Sequence, residues 1–402
     1  MQRAGFYYDV SAYTCHDWFA ATYQKSICPR YAPILKALNP NHQTFNYKSG
    51  TDTYTLKSDG VTPHPDGVRL AQLALQMGQT EESQYQHWAE ETEIDWGPWD
   101  GHLVYPTGSR IEVYHNGHQN AGTRILHHYS APAPILALWA ECLPGYDGVF
   151  LDNCTHILNN WGWSVIRGGK TQESGLQMGT PAYNAWHWQK LRSALVQSTI
   201  NRAPNIANYW TDDYVNYPIG QTLVQESVGN PVNLNYSVQE IFRRNQLAAS
   251  KNVKMWMSSN TATGTPALPY QTIQYGILCL YLAIEVKGIT SFHIQNWTGP
   301  TGPDWPQLVT GPALETAVKK LKKATSDPFP AKSTFPTLLT TTERDFEGGA
   351  VFVRSKPWNG FTDQVETFPR PPQMQYLDAS GQLTKPDTIT IPNGGGAILV
   401  RA

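Results

Sequence analysis

The sequence predicts an α/β chain: a (β/α)8 TIM barrel followed by a small antiparallel β-sandwich domain. Three observations predict it. Short apolar segments alternate with longer helical patterns, the way repeated βα units read in sequence. The segment Gly148-Val-Phe-Leu-Asp152 is apolar until its last residue, as strands buried on both faces of a parallel sheet are. From about Pro328 the helical periodicity stops, and short alternating strands separated by turn signals replace it. A chain of 402 residues exceeds the roughly 250 residues one barrel uses. The expected division is a barrel over 1–327 and an antiparallel β domain over 328–402.

Taken in order, the barrel strands are expected at 5–11, 44–47, 110–114, 148–152, 205–210, 222–228, 253–259 and 289–297. Helical patterns fall between most of them, at 29–38, 131–143, 183–200, 237–249 and 270–286, with another at 313–324 after the last strand. A further helix is expected near 67–75 inside a Gly-, Pro- and Trp-punctuated insertion. The gap between Trp210 and Thr222 is too short for a full helix and calls for a loop or a single turn. Beyond 328, strands are expected at 350–354, 364–368, 375–377, 388–391 and 397–401, separated by turns such as Pro-Asn-Gly-Gly-Gly.

Composition narrows the function. The formal net charge is −2 and no Lys/Arg block occurs, so neither nucleic acid nor a membrane surface is an expected partner. No apolar run approaches the length of a membrane span. Fourteen Trp and 21 Tyr stand against 12 Phe. Trp and Tyr join a flat apolar face to a polar edge, which suits a partly wet groove for an oligo- or polysaccharide. Five cysteines show no metal spacing. Cys142 and Cys279 read as buried thiols, while Cys15 and Cys28 could pair in an exported protein. Monomer and dimer are both compatible with the sequence. A cytoplasmic protein and one whose leader was removed are both compatible with its start.

Barrel active sites lie at the C-terminal ends of the strands. The expected strands deliver Asp9, Tyr47, His115, Asp152 with Asn153, Asn208 with Trp210, Glu226, Trp256 with Asn260, and Gln295 with Trp297. These are hydrogen-bonders and aromatics, with carboxylates on the first, fourth and sixth strands. A neutral polyhydroxylated ligand needs such a set. Asp152 and Glu226 are the expected catalytic pair, since glycoside hydrolysis uses two carboxylates. Each has a structural alternative: an Asp after a strand can cap a turn, and a Glu in a strand can sit in an ion pair.

Other chemistries fit less well. His115, His118, His127 and His128 cluster, but His-x-x-His alone is a weak metal signal and no H-E-x-x-H occurs. No G-x-S-x-G elbow, phosphate loop or calcium loop is present. No metal and no cofactor are expected. A non-catalytic carbohydrate-binding protein on the same barrel is the principal alternative, and a metal-dependent hydrolase is the next.

The segment Pro144-Gly-Tyr-Asp-Gly-Val-Phe-Leu-Asp-Asn153 resembles the Gly-Phe-Asp-Gly-Val-Phe-Leu-Asp-Asn segment of glycoside-hydrolase barrels. These are the hypothetical glycosyl hydrolases and, more distantly, endo-α-1,4-polygalactosaminidase-like enzymes. An Asn-Ile-Ala-Asn segment at 205–208, a strand carrying Glu226 and a C-terminal Ala-Ile-Leu-Val-Arg401 follow in the same order. The resemblance implies a retaining enzyme with Asp152 as nucleophile and Glu226 as acid/base. Asp9, Tyr47, Asn153, Asn208 and Gln295 would bind hydroxyls, and Trp210 and Trp297 would stack on sugar faces. The His-rich stretch at 111–128 departs from the family.

Overall fold

The computed structural model describes residues 2–6, 16–54, 62, 64–78, 102–104, 110–112, 124–127, 131–157, 176, 180–206, 209–217, 219–225, 236–260, 270–295, 312–355 and 365–402. The chain divides into two compact units. One joins Met1–Thr44 to Thr222–Ala402, and the other is Phe45–Gln221.

The first unit holds a run of parallel strands in the order Thr222–Gln225, Lys254–Asn260, Thr290–Gln295, Gln2–Phe6 and Lys25–Ile27. Helix Val238–Ser250 links the first two of these. Ser237 caps it by accepting the Glu240 N–H at 3.1 Å, and Glu240 then pairs with the exposed Arg243 and the buried Arg244. Helix Tyr270–Ile284 links the next two. It is almost wholly apolar because it is covered on more than one side. Tyr281 stacks on Phe292 of strand Thr290–Gln295 at 4.3 Å. The same helix packs on an antiparallel sheet built by the last part of the chain, where a Cβ on Gly276 would lie 2.1 Å from the Gly394 carbonyl oxygen. The Tyr275 hydroxyl donates to the Leu377 carbonyl and accepts from Ile398 N. Arg344 Nη1 donates to the carbonyls of Leu282, Ala283 and Glu285, which the helix end leaves without intrahelical partners.

That antiparallel sheet runs Phe329–Pro330, Thr341–Phe346, Gly349–Arg354, Gly396–Arg401, Met374–Leu377, Leu383–Thr384. A separate ribbon pairs Glu366–Pro369 with Thr388–Ile391. Leu338, Phe352, Phe368, Ile389, Ile391 and Leu399 form the core between them. Alternation along the strands sends these residues to one face, and Arg344 with its helix contacts to the other.

The second unit holds three parallel strands: Gln43–Ser49 from Phe45 onward, Gly148–Asp152 and Arg202–Pro204. Pairing sets Ser49 opposite Asp152 and Tyr47 opposite Phe150. Helices Pro65–Gln76, Ala133–Glu141 and Pro181–Gln197 accompany them. Each carries proline in its first turn, where a missing N–H costs nothing. The connection after Trp210 is a single turn, Asp213–Asn216.

Parallel strands with interleaved helices make this an α/β protein, and the C-terminal sheet is antiparallel. Among the described residues no strand pairing closes a ring. One expected strand is misplaced. Arg110–Glu112 is extended, but it pairs antiparallel with His102–Val104 in a small hairpin. The parallel run gains Lys25–Ile27 instead. Three residues, one of them a lysine, carry no apolar pattern to announce a strand. Burial lowers the pKa of Lys25 to about 8, and the neighbouring like charge of Lys254 pushes it the same way.

Candidate functional site

Asp152 ends strand Gly148–Asp152 and is partly exposed. Four buried residues precede it, so the strand is anchored and its last carboxylate is thrown to the rim. Both of its oxygens are engaged. Oδ1 accepts from Asn205 Nδ2 at 2.7 Å and from Asn153 N at 2.8 Å, and Oδ2 accepts from the Tyr47 hydroxyl at 2.7 Å. Donors from three sources fix the carboxylate plane and suit a charged group. Asn153 bonds in this way because it turns into the left-handed region, φ 59°, which Asn tolerates better than most residues. The Asp152 carbonyl accepts from Gly50 N at 2.5 Å, locking the ends of two strands together. Beneath them Cys154 is buried, and burial together with the Asp152 charge pushes its thiol well above the ordinary value.

Asn205 reaches Asp152 because its strand starts early. Arg202, buried at the strand's first position, donates to the carbonyls of Ile219, Ser198 and Ile200. Asn205 N then bonds the Leu151 carbonyl at 2.8 Å, placing the amide beside the Asp152 carboxylate.

An aromatic group follows the same strand ends. The Tyr214 hydroxyl accepts the His156 backbone N–H at 2.7 Å and shares a hydrogen bond of 2.8 Å with the ring's Nδ1. His156 lies edge-on to Tyr214, Trp188 and Tyr209. Burial lowers its pKa against the pull of Asp213. Trp210 anchors its indole N–H on Asp212 at 2.7 Å and meets Tyr214 edge-on. His156, Tyr209 and Trp210 stay partly exposed. Below them His187 is buried and donates Nε2–H to the Thr155 carbonyl at 3.2 Å, and burial holds its pKa down at about 4.

Tyr47 also lines a cavity of about 230 Å³ with Lys48, Ser49, Thr53, His64, Asp66, Ile135, Leu138 and Trp139. Lys48 Nζ donates to both oxygens of Asp66, at 2.7 and 2.6 Å. The fully buried Trp139 indole N–H and the Ser49 hydroxyl have no hydrogen-bond partner among the described residues. His127 adjoins this region edge-on to Trp139. Its ring nitrogens are taken up by the Thr53 hydroxyl at 2.8 Å and the Gly50 carbonyl at 3.1 Å. A histidine bonded at both nitrogens is a packing residue rather than a metal ligand, which removes one member of the expected cluster.

The second unit thus brings together Tyr47, Asp152 and Asn153, while Trp210 lies beyond the end of strand Arg202–Pro204, against Asp212 and Tyr214. Trp256 lies in the first unit, fully buried in strand Lys254–Asn260, and a covered indole offers no face to a sugar. Asn260 and Gln295 close their strands, with their side chains outside the described residues. Asp9, His115, Asn208, Glu226 and Trp297 lie outside the described residues, as does Cys15. Asn205, Tyr214 and His156 join the site without having been expected there. The Asn-Ile-Ala-Asn segment did signal Asn205, but a strand set at 205–210 put the end at Asn208 instead.

No protein-family model and no curated protein matches the chain. Among solved structures, it is similar to one described as a Family GH13_31 enzyme, with a TM-score of 0.50 at 9% identity over 100% of this chain and 99% of that one. What the two share is the fold. Weaker likenesses include an alpha-amylase from Malbranchea cinnamomea, with a TM-score of 0.43 at 8% identity over 100% and 96% of the two chains. Another is a GH31 family sulfoquinovosidase from E. rectale, with a TM-score of 0.41 at 10% identity over 93% and 53%.

Proposed function

We propose that this protein is a retaining glycoside hydrolase acting on an oligo- or polysaccharide, on a (β/α)8 barrel over 1–327 with an antiparallel β-sandwich domain over 328–402. The carrying observation is Asp152: a partly exposed carboxylate at the C-terminal end of a parallel strand, oriented by Tyr47, Asn153 and Asn205 beside partly exposed aromatic rings. Barrel enzymes place their reacting groups at such strand ends. The fold likeness to a Family GH13_31 enzyme is in keeping with this reading.

In the proposed mechanism Asp152 attacks the anomeric carbon and forms a glycosyl-enzyme. Glu226, which follows strand Thr222–Gln225 directly in the chain, protonates the leaving oxygen and then activates water. Tyr47 and Asn205 hold the Asp152 carboxylate through attack and departure. Trp210 and Tyr209 offer faces to a sugar ring. Asp9, His115, Asn153, Asn208, Asn260, Gln295 and Trp297 remain proposed binders of substrate.

The test is product release from plant, algal and microbial polysaccharides, comparing wild type with folded Asp152→Asn and Glu226→Gln. Cleavage by wild type that both variants lose supports the reading and names the substrate. Cleavage retained by Asp152→Asn contradicts it. Saturable glycan binding without turnover, unchanged in Asp152→Asn, would favour a carbohydrate-binding protein.

A further inference from the structure

The C-terminal sheet carries a second cavity, of about 380 Å³, within the range of small-molecule sites. Its origin is the strand alternation described above. Glu343 and Asp345 stand two residues apart on strand Thr341–Phe346, so they share a face. That face is the one that carries Phe352, Ala350 and Leu399 into the apolar core, because Glu343 pairs with Phe352 and Asp345 with Ala350. The two carboxylates therefore stand at the edge of an apolar floor, with Phe335 and Met374 beside them.

Glu343 is the anomaly. It is only 3% exposed, yet its Oε2 has no hydrogen-bond partner among the described residues. A buried carboxylate oxygen without a partner is costly. Burial, helped by the charge of Asp345 and opposed by a hydrogen bond from Thr334, raises its pKa to about 7, and burial also raises that of Asp345. Arg401 lines the cavity, but among the described residues no ion pair joins it to either carboxylate. No group of three metal-ligating side chains occurs among the described residues, so two carboxylates on an apolar floor do not make a cation cage.

We propose that this cavity binds a small organic amine, its ammonium group seated on Glu343 and Asp345 and its apolar body lying on the partly exposed Phe335 and Met374. An ammonium group supplies the donor that Glu343 Oε2 lacks and the positive charge that both carboxylates lack. A ring or short aliphatic body fits the floor. The proposal does not depend on glycosidase activity.

The test is calorimetric titration of the full chain with cyclohexylamine, using cyclohexanol as the neutral isostere, at a pH above 7. The amine is expected to bind saturably at millimolar concentrations or below. Cyclohexanol, Glu343→Gln and Asp345→Asn should each weaken binding by about tenfold or more, the worth of a hydrogen bond to a charged group. Asp345→Asn tests the site should Glu343→Gln fail to fold. No saturable binding of the amine, equal binding of amine and alcohol, or undiminished binding by a folded variant would overturn the proposal.

Discussion

The Tyr47 hydroxyl donates to Asp152 Oδ2 across two neighbouring parallel strands, at 2.7 Å. The paired residue is not Tyr47 but Ser49, so the tyrosine reaches forward along the sheet to the end of the next strand. Its length makes the contact possible, and its position ties the carboxylate's orientation to strand Gln43–Ser49. On the other side Asn205 does the same for Oδ1. Removing the Tyr47 hydroxyl frees Oδ2, and removing the Asn205 amide leaves Oδ1 with the Asn153 N–H alone, in both cases without removing the carboxylate. Tyr47→Phe and Asn205→Ala are each expected to lower kcat by about tenfold to a hundredfold, with a smaller change in KM, since a hydrogen bond to a charged group is worth about 1.5–3 kcal/mol. Steady-state kinetics on the substrate found in the polysaccharide screen checks this. A change confined to KM would mean the two residues bind sugar rather than steady Asp152.

Gly50 holds the same residue through its backbone, its N–H donating to the Asp152 carbonyl. A Cβ there would lie 2.2 Å from Cys154 Sγ and 2.9 Å from the Asp152 carbonyl oxygen. Gly50→Ala must therefore push strand ends apart at the point where Asp152 is held. It is expected to depress activity and to cost about 1–3 kcal/mol of stability through overpacking. Thermal melting and turnover measured together decide the matter. Normal stability with normal activity would show that the strand ends relax freely.

His187 makes stability fall on acidification. It is buried and neutral in the fold, with a pKa of about 4 against an ordinary 6.5. Below 6.5 the unfolded chain takes up a proton that the folded chain refuses. Its contribution is full above 6.5 and is lost as pH falls towards 4, amounting to at most about 3 kcal/mol. His187→Gln keeps a donor for the Thr155 carbonyl and is expected to flatten this limb. Denaturant melts at a series of pH values provide the comparison, and an identical slope in the variant would rule the residue out.

Glu343 acts in the opposite direction. Its pKa is raised from 4.5 to about 7, so the folded chain holds a proton that the unfolded chain releases. Its favourable contribution is complete below 4.5 and is lost as pH rises through about 7, again worth at most about 3 kcal/mol. Glu343→Gln is expected to be more stable than wild type at pH 8, with the two converging in acid. Melts at both ends of the range check it. A variant less stable at pH 8 would show that the ionised carboxylate is already well compensated.

Much of the α/β pattern could be read directly. Gly148–Asp152 announces itself because burial on both faces demands an unbroken apolar run, and the turn at Asp213–Asn216 follows from the short spacing between Trp210 and Thr222. Lys25–Ile27 could not be read, because three residues with a buried lysine carry no periodicity. Arg110–Glu112 looked right as a strand but said nothing about its partner, since pairing is decided by tertiary contacts. The site was half legible. Asp152 and Tyr47 follow from strand ends, whereas Asn205 depended on a strand boundary set by the buried Arg202 guanidinium. Trp256 was misjudged because the aromatic face of a strand residue can be wholly covered.

The central claim is that Asp152 is the nucleophile. Chemical rescue tests it most directly: Asp152→Gly is assayed with and without azide on the substrate identified for wild type. The account predicts an inactive variant whose turnover returns with azide, yielding a glycosyl azide of anomeric configuration opposite to that of the substrate. Substantial hydrolysis by Asp152→Gly in the absence of azide would contradict it.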